Sequence, residues 1–330
     1  MLASELPLAT PYLVQVFPTY ACNFKCNYCV LSLPKSQRGY IADQKFLDFD
    51  IYRKCIDEIA KFPDKLRMLR FAGTGEPLLH PKIASMVEYA AIADVAHSID
   101  IVTNGALLTA ELSQSLVRAG VSRIRISIQG VTREQYLATT GTYADLEKIV
   151  DNVAFLYSIR EKTELYVKII DSAIETAENE REFFQLFGDI ADSIAIEHLL
   201  PATPLIDYTR IAKSTIAQTQ NGAPLSAAEV CPQPFYMMQL NPDGIIVPCC
   251  AMESPLRSGN LSQESVQAIW NGSEINRFRR MQLNGKRSDN PVCRTCQQFR
   301  HGMFPEDVLD QDALSLLRGY PEATNQGTEN

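Results

Sequence analysis

The chain has 330 residues, 46% of them hydrophobic and 21% charged, with a formal net charge of −8. That is enough for one full α/β domain plus an appendage, and the composition excludes a disordered or fibrous protein. An acidic balance without a Lys/Arg-rich stripe argues against nucleic acid as a partner, since phosphate neutralisation needs clustered cations.

No apolar run reaches bilayer-spanning length, and Met1 to Pro11 lacks a basic region followed by an apolar stretch. A cytoplasmic location with no membrane partner is therefore expected. From residue 12 to about residue 200, short β-branched runs alternate with amphipathic stretches. Strands are predicted at Leu13–Phe17, Leu66–Phe71, Ser98–Thr103, Arg123–Ile128, Leu165–Ile170 and Ile194–His198. Between them, helices are predicted at Phe49–Ala60, Pro81–Ala93, Ala110–Ala119, Tyr143–Tyr157 and Glu178–Phe187. The third helix has an N-cap in Thr109, and Gly120 suits the left-handed position after its end. Strands separated by such helices are the pattern of βα repeats around a parallel sheet. Six strands fall short of the eight pairs of a closed barrel. The fold class is therefore α/β, a partial (β/α)6 barrel.

Residues 201–229 are weakly periodic and read as a linker or cover. Beyond them, Tyr236–Leu240 and Ile245–Val247 flank Asn241-Pro242-Asp243-Gly244, and an Asp-Gly pair between strand-like runs signals a β-hairpin. Ser265–Asn271 and Glu274–Gln282 read as short helices. A small C-terminal domain is thus expected over residues 230–321, with a frayed polar tail over 322–330.

Nine cysteines in a reducing compartment read as metal or cluster ligands rather than disulfides. Cys55 stands alone inside an amphipathic helix and reads as core. Cys22-x-x-x-Cys26-x-x-Cys29 directly follows the first predicted strand. Three thiolates so close together can converge on one cubane cluster and leave one iron open for a ligand. Zinc would want a fourth nearby ligand, and the nearest histidine, His80, is far along the chain.

This spacing, with Tyr28 before the last cysteine, resembles the radical S-adenosylmethionine (SAM) superfamily. Three further segments carry the resemblance. Gly73-Thr74-Gly75-Glu76-Pro77 resembles the family's G-G-E-P motif with Thr74 in place of one glycine. Thr103-Asn104-Gly105 resembles T-N-G, and Ser127-Ile128-Gln129-Gly130 resembles S-[IL]-D-G with Gln129 in place of the aspartate. The resemblance implies that Cys22, Cys26 and Cys29 hold a [4Fe–4S] cluster whose open iron binds SAM and cleaves it to a 5′-deoxyadenosyl radical. It implies that Gly75 and Glu76 hold the SAM ammonium, and that Asn104, Ser127 and Lys168 complete the cofactor site. A solvated loop carboxylate and a snorkelling surface lysine are the plainer readings of Glu76 and Lys168. A one-electron reductant such as flavodoxin or ferredoxin is implied as a partner.

Cys231, Cys249, Cys293 and Cys296 fit a second, four-ligand site. Their order, with Gly259-Asn260-Leu261 and Val266 to Trp270 between them, resembles the C-terminal SPASM/Twitch extension of radical SAM enzymes. Fewer cysteines than in the full SPASM form imply one auxiliary [4Fe–4S] cluster, with spacings like those of aminocyclitol dehydrogenases of antibiotic biosynthesis. Structural zinc is the rival, because four cysteines with a C-x-x-C pair are also zinc chemistry. Adjacent strand residues point to opposite faces, so with Cys249 as the ligand by family position, Cys250 faces elsewhere. Cys250 is then either a small buried hydrophobe or a hydrogen-atom donor to a substrate radical.

The function expected is hydrogen-atom abstraction from a small polar substrate such as an amino sugar or cyclitol. Dehydrogenation follows if the second cluster takes an electron while a base takes a proton. Epimerisation follows if Cys250 returns a hydrogen. Glu197 and His198 end the sixth predicted strand, where a base is useful, although a structural histidine is the plainer reading. Maturation of a ribosomally made peptide is the alternative, with a separate leader-binding protein, since only about a dozen residues precede the first strand. A non-catalytic metal-binding module would leave Gly75-Glu76-Pro77 and Thr103-Asn104-Gly105 without purpose.

Overall fold

Strong alternation of apolar and polar residues builds the first six strands. They are β1 (Leu13–Val16), β2 (Met68–Phe71), β3 (Ile99–Thr103), β4 (Arg123–Ile128), β5 (Glu164–Ile170) and β6 (Ser193–Glu197). A computed structural model describes residues 1–39, 44–212, 216–251 and 253–320; the tail expected over 322–330 lies outside them. In β4, Ile124, Ile126 and Ile128 are buried while Arg123, Arg125 and Ser127 are half-buried on the other face. Neighbouring strands pair in parallel from β1 through β6 in chain order.

The connecting helices are α1 (Phe49–Ile59), α2 (Ile83–Ile92), α3 (Ala110–Arg118), α4 (Arg133–Thr140), α5 (Leu146–Ile159) and α6 (Ala177–Phe187). They cover one face of the sheet, where Tyr52, Ile56, Met86, Leu116 and Leu156 pack on Leu69, Ile101 and Val167 in one core. Thr109 caps α3 by accepting from Leu112 N, and Gly120 has φ +86, both as the sequence suggests. The architecture is the expected α/β partial barrel.

Helix α4 is not among the predicted elements. Its signals are there, Thr132 as N-cap and Gly141 at φ +63 after the last turn, but it is only eight residues long and ends in two β-branched threonines. The described residues of the segment 201–229 include a short helix, α7 (Tyr208–Ala212), and a bridge between Gln218 and Pro224.

The C-terminal part contributes α8 (Gln233–Tyr236), β7 (Met237–Leu240), β8 (Ile245–Val247), β9 (Gly259–Asn260), α9 (Val266–Asn271), α10 (Ser273–Leu283) and α11 (Pro291–Thr295). The hairpin forms where expected, with Gly244 at φ +79 in its turn. Its attachment was not legible. β7 pairs in parallel with β1, so the sheet has nine strands in the order β6-β5-β4-β3-β2-β1-β7-β8-β9. No helix among the described residues is long and apolar enough to cross a membrane.

Trp270, 2% exposed, locks this region to the start of the chain by donating from Nε1 to Leu8 O at 3.0 Å. The buried Arg279 guanidinium stacks 4.1 Å from its ring centroid and donates to Trp270 O and Pro234 O. Trp270→Ala should cost about 3–5 kcal/mol. Urea unfolding should show a lower midpoint at an unchanged slope.

Candidate functional site

The loop after β1 carries the first cysteine group, and four elements hold it, three through its backbone and one through the Asn23 side chain. Lys25 N and Asn27 N donate to Thr140 O and Thr139 O at the end of α4, at 2.9 and 2.7 Å. Asn104 Nδ2, after β3, donates to Asn23 Oδ1 at 2.8 Å. Glu76 N, after β2, donates to Ala21 O at 2.8 Å. From the far side, Tyr208 in α7 donates to Tyr28 O at 2.9 Å. Burial, with a smaller contribution from Glu76 and Cys29 at Cys22 and from Cys29 and Cys22 at Cys26, pushes Cys22 up to about 11 and Cys26 up to about 12. Thiols crowded this way stay protonated until a cation offsets their charge, which is the behaviour of a cluster or metal ligand set.

Gly75 lies against this loop. A methyl group there would sit 2.0 Å from Thr19 O and 2.7 Å from Ala21 O, so only glycine permits the approach. Glu76 is 2% exposed, and its carboxylate accepts from Thr103 Oγ1 at 2.6 Å, Asn104 N at 2.8 Å and Leu78 N at 3.0 Å. Burial raises its carboxyl, with those three hydrogen bonds opposing. Glu76 therefore fastens the loop after β2 to the loop after β3. It is not the solvated carboxylate of the plainer reading.

A cavity of about 250 Å³ opens at the C-terminal ends of β4, β5 and β6. Cys29, Ser127, Gln129, Lys168, Glu197 and His198 all face it. Ser127 and Lys168 are register partners on adjacent strands. Lys168 is no surface lysine: its ammonium lies 2.6 Å from Glu197 Oε2. Glu197 also accepts from Tyr166 Oη at 2.8 Å and from Gln220. Burial would raise the Glu197 carboxyl, but the Lys168 charge and these hydrogen bonds outweigh it and hold it below its ordinary value. His198 Nδ1 lies 2.8 Å from Asp171 Oδ2, and Asp171 Oδ1 accepts from Leu199 N at 3.2 Å. The Asp171 partnership, made by the loop after β5, had no signal in the sequence.

The second group converges as well. Cys231, Cys249, Cys293 and Cys296 line one narrow cavity with Gln282, Arg287 and Phe299. Burial lifts Cys231 and Cys249 far above the ordinary thiol range and Cys293 to about 11, with neighbouring thiols adding to each. Gln282 Nε2 points at Cys293 Sγ from 3.7 Å, and Arg287 donates to Cys293 O. Cys250 does not line this cavity or the one beside Cys29. Its sulfur is held between Gln298 Nε2 at 3.1 Å and Gln233 Oε1 at 3.6 Å. A further cavity of about 190 Å³ shares Val30, Ala202 and Thr203 with the first and reaches Cys296.

A parallel partial barrel with one thiol-rich loop at its rim and a second thiol cluster at its edge defines a class of iron–sulfur enzyme. The model of the radical SAM superfamily matches residues 16–170, and that of the SPASM iron–sulfur cluster-binding domain matches residues 231–297. The chain therefore contains a radical SAM domain and a C-terminal SPASM domain. The family's cofactors are a [4Fe–4S] cluster with SAM, and the SPASM domain binds further iron–sulfur. Among the described residues no three of these thiols are closed to metal-binding distance, although Cys231, Cys249, Cys293 and Cys296 line one cavity.

Among curated proteins, the tungsten-containing aldehyde ferredoxin oxidoreductase cofactor-modifying protein of Pyrococcus furiosus is 25% identical over 298 residues, 79% of this chain and 81% of that protein. The AdoMet-dependent heme synthase of Methanosarcina barkeri is 23% identical over 365 residues, 93% of this chain and 97% of that protein. Among solved structures, BtrN in complex with AdoMet and 2-DOIA superposes with a TM-score of 0.58 at 19% identity, over 87% of this chain and 92% of BtrN. Streptococcus suis SuiB bound to S-adenosylmethionine superposes with a TM-score of 0.63 at 13% identity, over 92% of this chain and 75% of SuiB. These likenesses show the shared fold.

The Glu197 carboxyl, held low in the fold, contributes stability that is complete above the ordinary value of about 4.3 and is lost as pH falls through the folded value. Glu197→Gln should therefore flatten the acid limb of the stability curve below about pH 5, measured by denaturant unfolding across pH.

Proposed function

We propose that this chain is a radical SAM dehydrogenase that oxidises a carbinol of a small polar substrate, such as an amino sugar or cyclitol. The observation that carries the reading is the shared cavity: Cys29 and His198 face one space, with Asp171 bound to the His198 ring, while Cys250 faces elsewhere. When bound, the first cluster and SAM supply a hydrogen-abstracting radical, and the auxiliary cluster a one-electron acceptor. Cys22, Cys26 and Cys29 hold the first cluster, and Cys231, Cys249, Cys293 and Cys296 the second. Glu76 acts by positioning, leaving the backbone around Gly75 for the SAM ammonium. Asn104 ties the cysteine loop to β3, and Ser127 and Lys168 line the SAM side of the cavity. Asp171 orients the His198 ring so that its other nitrogen can accept the proton of the substrate hydroxyl. The Lys168–Glu197 pair presents both signs of charge to substrate hydroxyl and amino groups.

A peptide maturase is the second reading. SuiB has been solved with its precursor peptide SuiA, and the adjoining cavity that reaches Cys296 lengthens the space available here. Dehydrogenation is favoured over epimerisation because the Cys250 sulfur is held between two glutamine side chains rather than turned to the cavity beside Cys29.

Anaerobic reconstitution should load roughly eight irons per chain, two cubanes. Four irons with one zinc would remove the proposed electron acceptor. Reduction in the presence of SAM should release 5′-deoxyadenosine, and Cys26→Ala should abolish that release. With an aminocyclitol that is turned over, His198→Gln should retain SAM cleavage and lower ketone formation about 10²-fold or more. Equal loss of both in His198→Gln would exclude a proton-accepting role.

A further inference from the structure

Beside the second cysteine group lies a buried cation that neither the ligand assignment nor the substrate reading uses. Cys231, Cys249, Cys293 and Cys296 share their cavity with apolar and amide side chains and with Arg287, the one fixed charge among the described residues that line it. Arg287 is 7% exposed and opens the short turn that precedes α11. Two anchors hold its guanidinium. Nη1 donates to Cys293 O and, at 3.4 Å, to Cys296 O, the two ends of the C-x-x-C pair. The buried Phe299 ring supports it from the side, with the ring centroid 4.8 Å from the guanidinium carbon. Both acceptors are neutral carbonyls, so these contacts leave the positive charge uncompensated. Nε is buried and has no hydrogen-bond partner among the described residues. A buried guanidinium with an unused donor is costly unless negative charge stands beside it.

We propose that Arg287 is the counter-charge of the second cluster and raises its electron affinity. The inference rests on the proposed reading of that cluster as the electron acceptor. Oxidation of the substrate radical to a ketone gives up one proton, which His198 accepts, and one electron, which the cluster takes. Four thiolates give a cubane a net negative charge, and the added electron makes it more negative. A fixed cation in the cavity wall stabilises the reduced form more than the oxidised one, since Coulomb energy grows with the charge it meets. The wall is otherwise uncharged, so no second charge opposes Arg287 there. A guanidinium suits the place because one group can bind two carbonyls and still keep a donor free. Arg287 touches no reacting atom, and it is a positioning residue that acts through the cluster.

The test is an EPR-monitored redox titration of the reconstituted full chain, following the signal that does not respond to added SAM. Arg287→Gln should lower the ratio of reduced to oxidised second cluster about tenfold at a fixed potential, or about 59 mV for one electron. Arg287→Lys, which keeps the charge but not the paired carbonyl contacts, should stay within about threefold of the unaltered chain. The SAM-responsive signal should be unmoved in both. Loss of iron from the second site in Arg287→Gln alone would also support the counter-charge. An unchanged ratio in Arg287→Gln would overturn the proposal. So would an equal fall in both variants, or loss of that iron in both, since either makes Arg287 a clamp on the two carbonyls. Zinc in place of the second cluster in the unaltered chain would instead bring down the electron-acceptor reading, and this inference with it.

Discussion

The structure depends on one strand with two neighbours. β1 pairs in parallel with β2 on one side and with β7 on the other, from Leu13 opposite Met237 to Val16 opposite Leu240. The ladder continues past the strand, where Phe17 N donates to Leu240 O at 2.8 Å. β1 runs directly into the loop of Cys22, Cys26 and Cys29, and the β7–β8 hairpin runs directly into Cys249 and Cys250. A single backbone ladder therefore fixes the separation of the two cysteine groups. Register matters doubly here, because a one-residue slip would turn every side chain of the hairpin to the opposite face. The buried Gln15–Gln239 contact, extended by Gln239 to Asn241, marks the polar face and resists such a slip.

The face of the sheet away from the helices is polar, and this separates it from an ordinary parallel sheet buried on both sides. Arg70, Asp100, Arg125, Tyr166 and Lys168 lie on it. Asp100 is fully buried and is bound by Arg125 at 3.0 Å with Arg70 at 3.7 Å, while Arg125 also stacks near Tyr166. Buried charges of this kind persist only when paired. Arg70 is the least satisfied, its Nε having no hydrogen-bond partner, and burial pulls its guanidinium below its ordinary value. The price of this lining is stability, and its return is a polar wall that continues upward into Ser127, Lys168 and Glu197 at the cavity.

Much of this was legible in the sequence because it is local. Cys22-x-x-x-Cys26-x-x-Cys29, Thr103-Asn104-Gly105 and the Asp243-Gly244 turn are short patterns, and the six strands follow from period-2 alternation, as in Ile124, Ile126 and Ile128. What was not legible is pairwise and distant. Nothing in Met237–Leu240 says that it joins β1 rather than forming a separate sheet. Nothing at Thr139 and Thr140 says that their carbonyls hold the cysteine loop. Glu76 shows the limit from the other side: the sequence offers it as a ligand to the SAM ammonium, but its carboxylate faces Thr103 and Asn104, because the loops after β2 and β3 meet there.

The same distinction separates Cys249 from Cys250. Adjacent in sequence, they end in different surroundings because the chain bends just beyond β8. Cys249 lines one cavity with Cys231, Cys293 and Cys296, and burial pushes the Cys231, Cys249 and Cys293 thiols away from ionisation. Under the proposed assignment a shared cation would offset this, and the energy of binding it would become energy of folding for the segment around α10 and α11. Cys250 has glutamine amides on both sides and needs no cation to be satisfied. Two chemically identical neighbours are thus assigned opposite fates by what surrounds them, and that surrounding is fixed by the β1–β7 ladder.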